Sequence, residues 1–179
     1  MPLVLATILS AALMWASFPP LNLGFLVFIA PVPFLWALRR VRTAREAGWV
    51  GFLFGAAFFG GMLWWIFILG AVAFFPLVLV MALYSTAYAL VMYGVREWSP
   101  MRWWFVAVAG WSLWELVKAR FPFGGFPWGG AGYPIGTLPG TRSSAQWIGV
   151  TGWSVLVIAF AASLVLMTEE EKDRRPLEV

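Results

Sequence analysis

Residues 1–38 and 47–95 contain no charged side chain, and two shorter stretches, 103–114 and 143–168, share that property. Every residue except proline brings a backbone donor and acceptor, and in lipid these groups find no water. A helix satisfies them within one segment. At roughly 20 residues per crossing, the first two runs each accommodate two helices and the last two one each. The expected fold is an all-α polytopic membrane helix bundle of about six spans, over 3–17, 23–38, 47–69, 74–95, 103–119 and 147–167. Residues 1–168 form the bundle and 169–179 a charged cytoplasmic tail. Composition agrees, with 62% hydrophobic and 11% charged residues, outside the usual mix for a soluble domain.

Proline and arginine set the boundaries. Pro19 and Pro20 forbid continuation of the first helix, and Asn22 and Gly24 supply turn residues before the apolar pattern resumes. Pro31 and Pro33 predict a kink in the second span. That span stops at Arg39, Arg40, Arg42 and Arg45, which the positive-inside rule assigns to the cytoplasm. Both termini are then cytoplasmic and the loop 120–143 is on the outer side. Nine basic residues fall on the inner segments and three, Lys118, Arg120 and Arg142, outside. No basic region precedes the first apolar stretch, so it reads as a retained span and not a cleaved signal. The net charge of +4 is explained by topology and anionic lipid, not by nucleic acid. Ala47, Gly51 and Gly55 recur at four-residue spacing, a stripe that lets another helix approach closely. Tyr84, Ser85, Thr86 and Tyr88 make a polar cluster whose hydroxyls are expected to bond backbone carbonyls.

One stretch departs from the helical pattern. After the fifth span comes Phe121-Pro122-Phe123-Gly124-Gly125-Phe126-Pro127-Trp128-Gly129-Gly130-Ala131-Gly132-Tyr133. Glycine and proline at that density exclude a regular helix, while the aromatic side chains disfavour water, so the loop requires an interface with headgroups or a roofed cavity. Just before it, Glu115 and Lys118 sit three apart on one helix face, where they can pair. Ionisable groups at such depth cost a few kcal/mol and mark a functional candidate. One reading has Lys118, Arg120 and Arg142 holding a phospholipid phosphate while Trp111, Trp114 and Trp128 flank its chains. The other has Lys118 and Arg120 reaching to the headgroups and Glu115 compensating them.

Cysteine and histidine are both absent, which removes thiol nucleophiles, imidazole bases and the common soft-metal sites. No catalytic residue, metal site or cofactor is assigned. Gly124-Gly125 and Gly129-Gly130 are not followed by Lys-Ser/Thr, so a nucleotide-binding loop is not indicated. Ser143 and Ser144 suit the N-cap of the sixth span.

Several motifs occur together and in order: Ser17-Phe18-Pro19-Pro20, Gly51-Phe52 with Gly55 and Trp64, Trp114-Glu115, Gly125-Phe126-Pro127-Trp128, Gly132-Tyr133, and Gln146 with Gly149 and Gly152. This series resembles apolipoprotein N-acyltransferase from about residue 9 to residue 167. The resemblance implies a bacterial inner-membrane protein that moves an acyl chain from a phospholipid to the N-terminal amine of a diacylated lipoprotein. In that family the catalytic Glu, Lys and Cys belong to a nitrilase-type domain that this sequence does not contain, so Glu115 and Lys118 are not two-thirds of its triad. What the resemblance transfers is docking of phospholipid and diacylated lipoprotein, onto Trp111, Trp114, Glu115, Lys118, Arg120, Phe126, Pro127, Trp128, Tyr133 and Arg142.

Three readings follow. The chain is the membrane portion of a lipoprotein N-acyltransferase, inactive without a nitrilase-type partner. Alternatively it is a membrane scaffold for a partner enzyme such as a polyprenol-phosphate mannosyltransferase, as some relatives are. A small lipid or solute transporter is the third, although the sequence shows no internal repeat.

Overall fold

The computed structural model describes residues 2–122 and 124–174; the side chains of residues 142, 145 and 170–174 lie outside the description. Among the described residues the chain forms α1 (Leu3–Ser17), α2 (Val32–Leu38), α3 (Ala44–Met62), α4 (Ala71–Gly94), α5 (Pro100–Lys118) and α6 (Ala145–Arg174), with no strand. Short 3-10 turns lie at Gly24–Phe28, Trp64–Leu69, Tyr133–Thr137 and Arg142–Ser144. Ala71–Gly94 and Gln146–Glu169 are each long and apolar enough to cross a membrane by length and composition.

The second expected span is not one helix. Gly24–Phe28 is a 3-10 turn and only Val32–Leu38 is α-helical. Pro31 and Pro33 have no N–H to offer the ladder, so the helix restarts with Pro31 as its N-cap. The Ala30 carbonyl at the break accepts a hydrogen bond from the buried Ser10 hydroxyl of α1. The third helix stops at Met62, and the rest of its expected span, Trp64–Leu69, is a 3-10 turn ending at Gly70 with φ 94°. Near the start of α6, Gly149 has φ 63° and interrupts the helix.

Local rules account for the remaining ends. Thr43 caps α3 by accepting from Glu46 N–H at 3.1 Å, and the Glu46 carboxylate accepts from Arg42 N–H at 2.7 Å, a close variant of the capping box. Pro100 opens α5 at a position that needs no N–H.

Close approach of α3 and α4 dominates the packing. A Cβ added at Gly51 would stand 2.6 Å from the Ala89 Cβ, and one at Gly55 would stand 2.6 Å from the Ala82 Cα. In a bundle surrounded by lipid, where apolar contact with lipid and with protein differ little, such backbone proximity is a principal source of association. A column of rings crosses the interior. Phe34 of α2 stacks on Phe54 of α3 with centroids 4.1 Å apart, Trp111 of α5 meets both edge-on, and Tyr88 of α4 lies 5.4 Å from Trp111. Each hydroxyl of the α4 cluster bonds a carbonyl: Ser85 to Met81, Thr86 to Ala82, Tyr88 to Ala107 and Tyr84 to Phe121.

The two ends of the bundle differ in character. At one, which we term the arginine end, Arg39 donates to Glu169 at 3.0 Å and to the Arg96 carbonyl at 2.7 Å, with its guanidinium over the buried Trp103. This one side chain ties α2 to the α4–α5 turn, to α5 and to α6. At the other, the loop end, the Phe18–Asn22 turn, the Trp64–Leu69 turn and the 121–137 segment come together.

Candidate functional site

The loop after α5 is held through its backbone groups, most of them bonded by side chains of α5 and α6. Phe126 N–H bonds the Lys118 carbonyl at 2.7 Å, bringing the chain back over the end of α5. The Lys118 ammonium donates to the Trp128 carbonyl. Glu115 Oε1 accepts from Ala131 N–H at 2.8 Å and from the Trp111 indole N–H at 2.8 Å. Ser154 of α6, fully buried, accepts from Gly132 N–H at 2.8 Å. Each bond satisfies a backbone group that an irregular segment would otherwise leave unpaired. Hydrogen bonds to charged groups contribute roughly 1.5–3 kcal/mol each, so the two to Glu115 and Lys118 are the stronger anchors.

The glycines of this loop are close-approach residues. Gly129 has φ 79°, and a Cβ there would stand 2.8 Å from the Phe59 ring. At Gly132 a Cβ would run into the Val150 carbonyl of α6. Only glycine lets the loop backbone lie this close to α3 and α6.

Lys118 has no exposed surface, and its ammonium sits 5.2 Å from the Phe59 ring and 5.8 Å from the Trp114 ring. It is therefore enclosed, not extended toward a headgroup. No ion pair joins Glu115 and Lys118 among the described residues; each turns instead to a different backbone group of the loop. Trp111 and Trp114, expected to flank lipid chains, are 0% and 6% exposed and belong to the ring column. Arg120 lies exposed at the loop end and bonds the Leu116 carbonyl at 3.3 Å. The Arg142 side chain and Phe123 lie outside the described residues.

Trp128 and Tyr133 do reach an open site. A groove of about 540 Å³ is lined by Ser17, Phe18, Pro19, Asn22, Trp128, Gly129, Tyr133, Pro134 and Thr137. A second groove, of about 250 Å³, shares Phe18, Pro19 and Trp128 and continues to Met62, Trp64 and Trp65. Trp128 stands between them, 5.6 Å from Trp65 and 6.2 Å from Phe126, which is half-buried; Pro127 is exposed beside it. The lining is mostly aromatic and aliphatic, with Asn22, Tyr133 and Thr137 as its exposed side chains that carry a polar group. Such a surface admits a hydrocarbon chain and offers little to a polar solute.

Sequence reasoning missed Ser17, Phe18, Pro19, Asn22, Pro134 and Thr137 as groove residues. The Phe18-Pro19-Pro20 turn was visible, but its meeting with Trp128 is a tertiary fact. Ser144, expected as an N-cap, accepts from the Trp153 indole at 3.2 Å and donates to the Thr141 carbonyl.

Among the described residues, an all-helical fold with two long apolar helices, an aromatic loop folded back onto its end and an apolar groove beneath that loop defines, by class, an α-helical membrane domain. Comparison with known proteins narrows this. Residues 10–163 match the apolipoprotein N-acyltransferase N-terminal domain, and the chain belongs to that family. It is 30% identical over 186 residues to an apolipoprotein N-acyltransferase of Rhizobium rhizogenes, covering 93% of this chain and 35% of the relative. It is 33% identical over 165 residues to the protein of that name from Sinorhizobium medicae, covering 86% and 30%. For the Nitrosomonas europaea protein of that name the identity is 28% over 160 residues, covering 83% and 32%. The chain thus spans about a third of the length of the curated relatives it matches.

Proposed function

We propose that this domain docks the acyl chains of a phospholipid donor, and of a diacylated lipoprotein acceptor, in the groove under the 121–137 loop. The observation that carries this reading is the continuity of the two grooves through Trp128: one apolar surface runs from Trp64 and Trp65 past Phe18 to Tyr133 and Thr137. In this reading six spans cross a bacterial cytoplasmic membrane, with the arginine end inside and the loop end outside. Glu115 and Lys118 are positioning residues that hold the loop backbone, and Trp128 and Tyr133 touch lipid.

Residues 1–179 contain no cysteine and no histidine, so the groove supplies binding and orientation, not a thiol or imidazole nucleophile. The acyl-transfer chemistry then resides in residues beyond these 179, on the same polypeptide or on a partner subunit. Acylation of a diacylated lipopeptide by these residues alone would overturn that division of labour.

Photolabelling tests the groove. Phosphatidylethanolamine carrying a diazirine in one acyl chain is expected to label peptides containing 17–22, 62–65 and 128–137 above the lipid-facing reference at Val72 and Phe75, which are 88% and 61% exposed. Thr137→Trp, which fills the groove, is expected to reduce that labelling selectively. Labelling no greater than at Val72 and Phe75, or unchanged by Thr137→Trp, refutes the assignment.

A further inference from the structure

The arginine end carries a further groove, separate from the two at the loop end. It has a volume of about 320 Å³ and lies between the start of α3 and the middle of α4, lined by Arg45, Gly48, Trp49, Phe52, Leu83 and Thr86. Its character follows from a contrast among the glycines of α3. Gly51 and Gly55 are required by the close approach of α4, whereas a Cβ at Gly48 would meet only the Thr86 methyl, at 4.0 Å. Packing of α3 on α4 does not account for Gly48, and the space above it is the groove.

The side chains around that space divide into a charged head and an apolar body. Arg45 is exposed at the mouth, with no hydrogen bond or ion pair to its guanidinium among the described residues. Among its neighbours at this end, Arg39 and Arg40 are engaged on Glu169 and Arg96 on Glu97; Arg42 and Arg102, like Arg45, make no ion pair among the described residues, but neither lines the groove. Glu46, the nearest carboxylate in sequence, is occupied in the cap of α3. Trp49 is 62% exposed and meets Phe52 edge-on at 5.9 Å, so an apolar wall stands directly below the free guanidinium. Thr86 has turned its hydroxyl to the Ala82 carbonyl, which leaves its methyl facing Gly48.

We infer that this groove binds one anionic glycerophospholipid, its phosphate on Arg45 and one acyl chain along Gly48, Phe52 and Leu83. A cation left unpaired at the top of an apolar slot matches an anion attached to a hydrocarbon chain, and a tryptophan at the junction suits the headgroup boundary. A zwitterionic lipid has the same chains, but its own ammonium competes for the phosphate. The inference rests on the membrane reading and is independent of lipid docking at the loop end, which lies at the opposite end of α3.

The experiment is native mass spectrometry of the whole chain in detergent, titrated with phosphatidylglycerol or phosphatidylcholine of matched chains. The wild type is expected to retain one phosphatidylglycerol in preference to phosphatidylcholine. Arg45→Gln should reduce that preference about fivefold, the value of one basic group near anionic lipid. Gly48→Leu, whose Cβ meets only the Thr86 methyl and whose branch occupies the slot, should abolish retention of that lipid while leaving α-helical circular dichroism unchanged. Arg42→Gln removes the same charge outside the slot and should leave the preference within about twofold. Equal retention of the two lipids by the wild type overturns the inference. So does an Arg42→Gln effect as large as that of Arg45→Gln combined with no effect of Gly48→Leu, since that result means diffuse attraction to charge. Loss of photolabelling at the loop end leaves this result unaffected, so the two proposals fail separately.

Discussion

Glu115 and Lys118 differ in what their removal does, and the difference can be worked from their partners. Glu115 accepts from the Ala131 N–H in the loop and from the Trp111 indole in the core. When the loop opens locally, the bond to Ala131 breaks and the bond to Trp111 does not. Glu115→Ala removes from the closed state a charge-assisted bond of about 1.5–3 kcal/mol, so opening becomes easier by that amount. At about 1.4 kcal/mol per tenfold, the open population rises roughly ten- to hundredfold. Chymotrypsin cutting after Trp128, which unlike Phe121, Phe126 and Tyr133 does not precede a proline, reads this population when opening and closing are fast relative to cleavage. Glu115→Ala also leaves the buried Trp111 donor without an acceptor in both loop states, lowering overall stability by about 1–3 kcal/mol. Glu115→Gln keeps a neutral acceptor, so its cleavage should rise only about fivefold. Lys118→Met also frees the loop, by loss of the Trp128 carbonyl bond, but it removes a buried ammonium that is costly to enclose. It should therefore raise cleavage about as much as Glu115→Ala while moving global thermal stability far less. Cleavage changed less than about threefold by both Glu115→Ala and Lys118→Met would refute the clasp. A fall in global stability for Lys118→Met matching that for Glu115→Ala would refute the separation of loop from core.

Other consequences follow from packing. Gly55→Leu should separate α3 from α4 and cost about 1–3 kcal/mol or more in thermal unfolding, whereas Gly48→Ala should be neutral or slightly stabilising. Phe54→Ala removes a fully buried ring from the column, for a loss of about 3–5 kcal/mol in denaturant titration. Arg39→Gln breaks the link among α2, the α4–α5 turn and α6 and should lower the unfolding temperature by several degrees. Arg40→Gln, whose contact with Glu169 is 3.7 Å, should change it little.

Much about this protein follows from the chain read in one dimension. Charge-free runs require internally satisfied backbone, and so helices, because that constraint acts within each segment. Pro19, Pro20, Pro31 and Pro33 mark breaks because a missing N–H acts locally. The Gly51 and Gly55 stripe is legible for the same reason: helical periodicity carries it onto one face. The ordered motifs, from Phe18-Pro19-Pro20 to Gly132-Tyr133, already pointed to the family that residues 10–163 match. Tertiary structure alone decided which side chains of the loop region line the groove and which are enclosed. Spacing placed Lys118, Trp111 and Trp114 beside the loop, but whether a lysine extends to headgroups or points into the interior depends on Phe59, a residue about sixty positions earlier. The groove likewise joins Phe18 to Trp128 and Thr137 across more than a hundred residues, a juxtaposition that no local periodicity encodes.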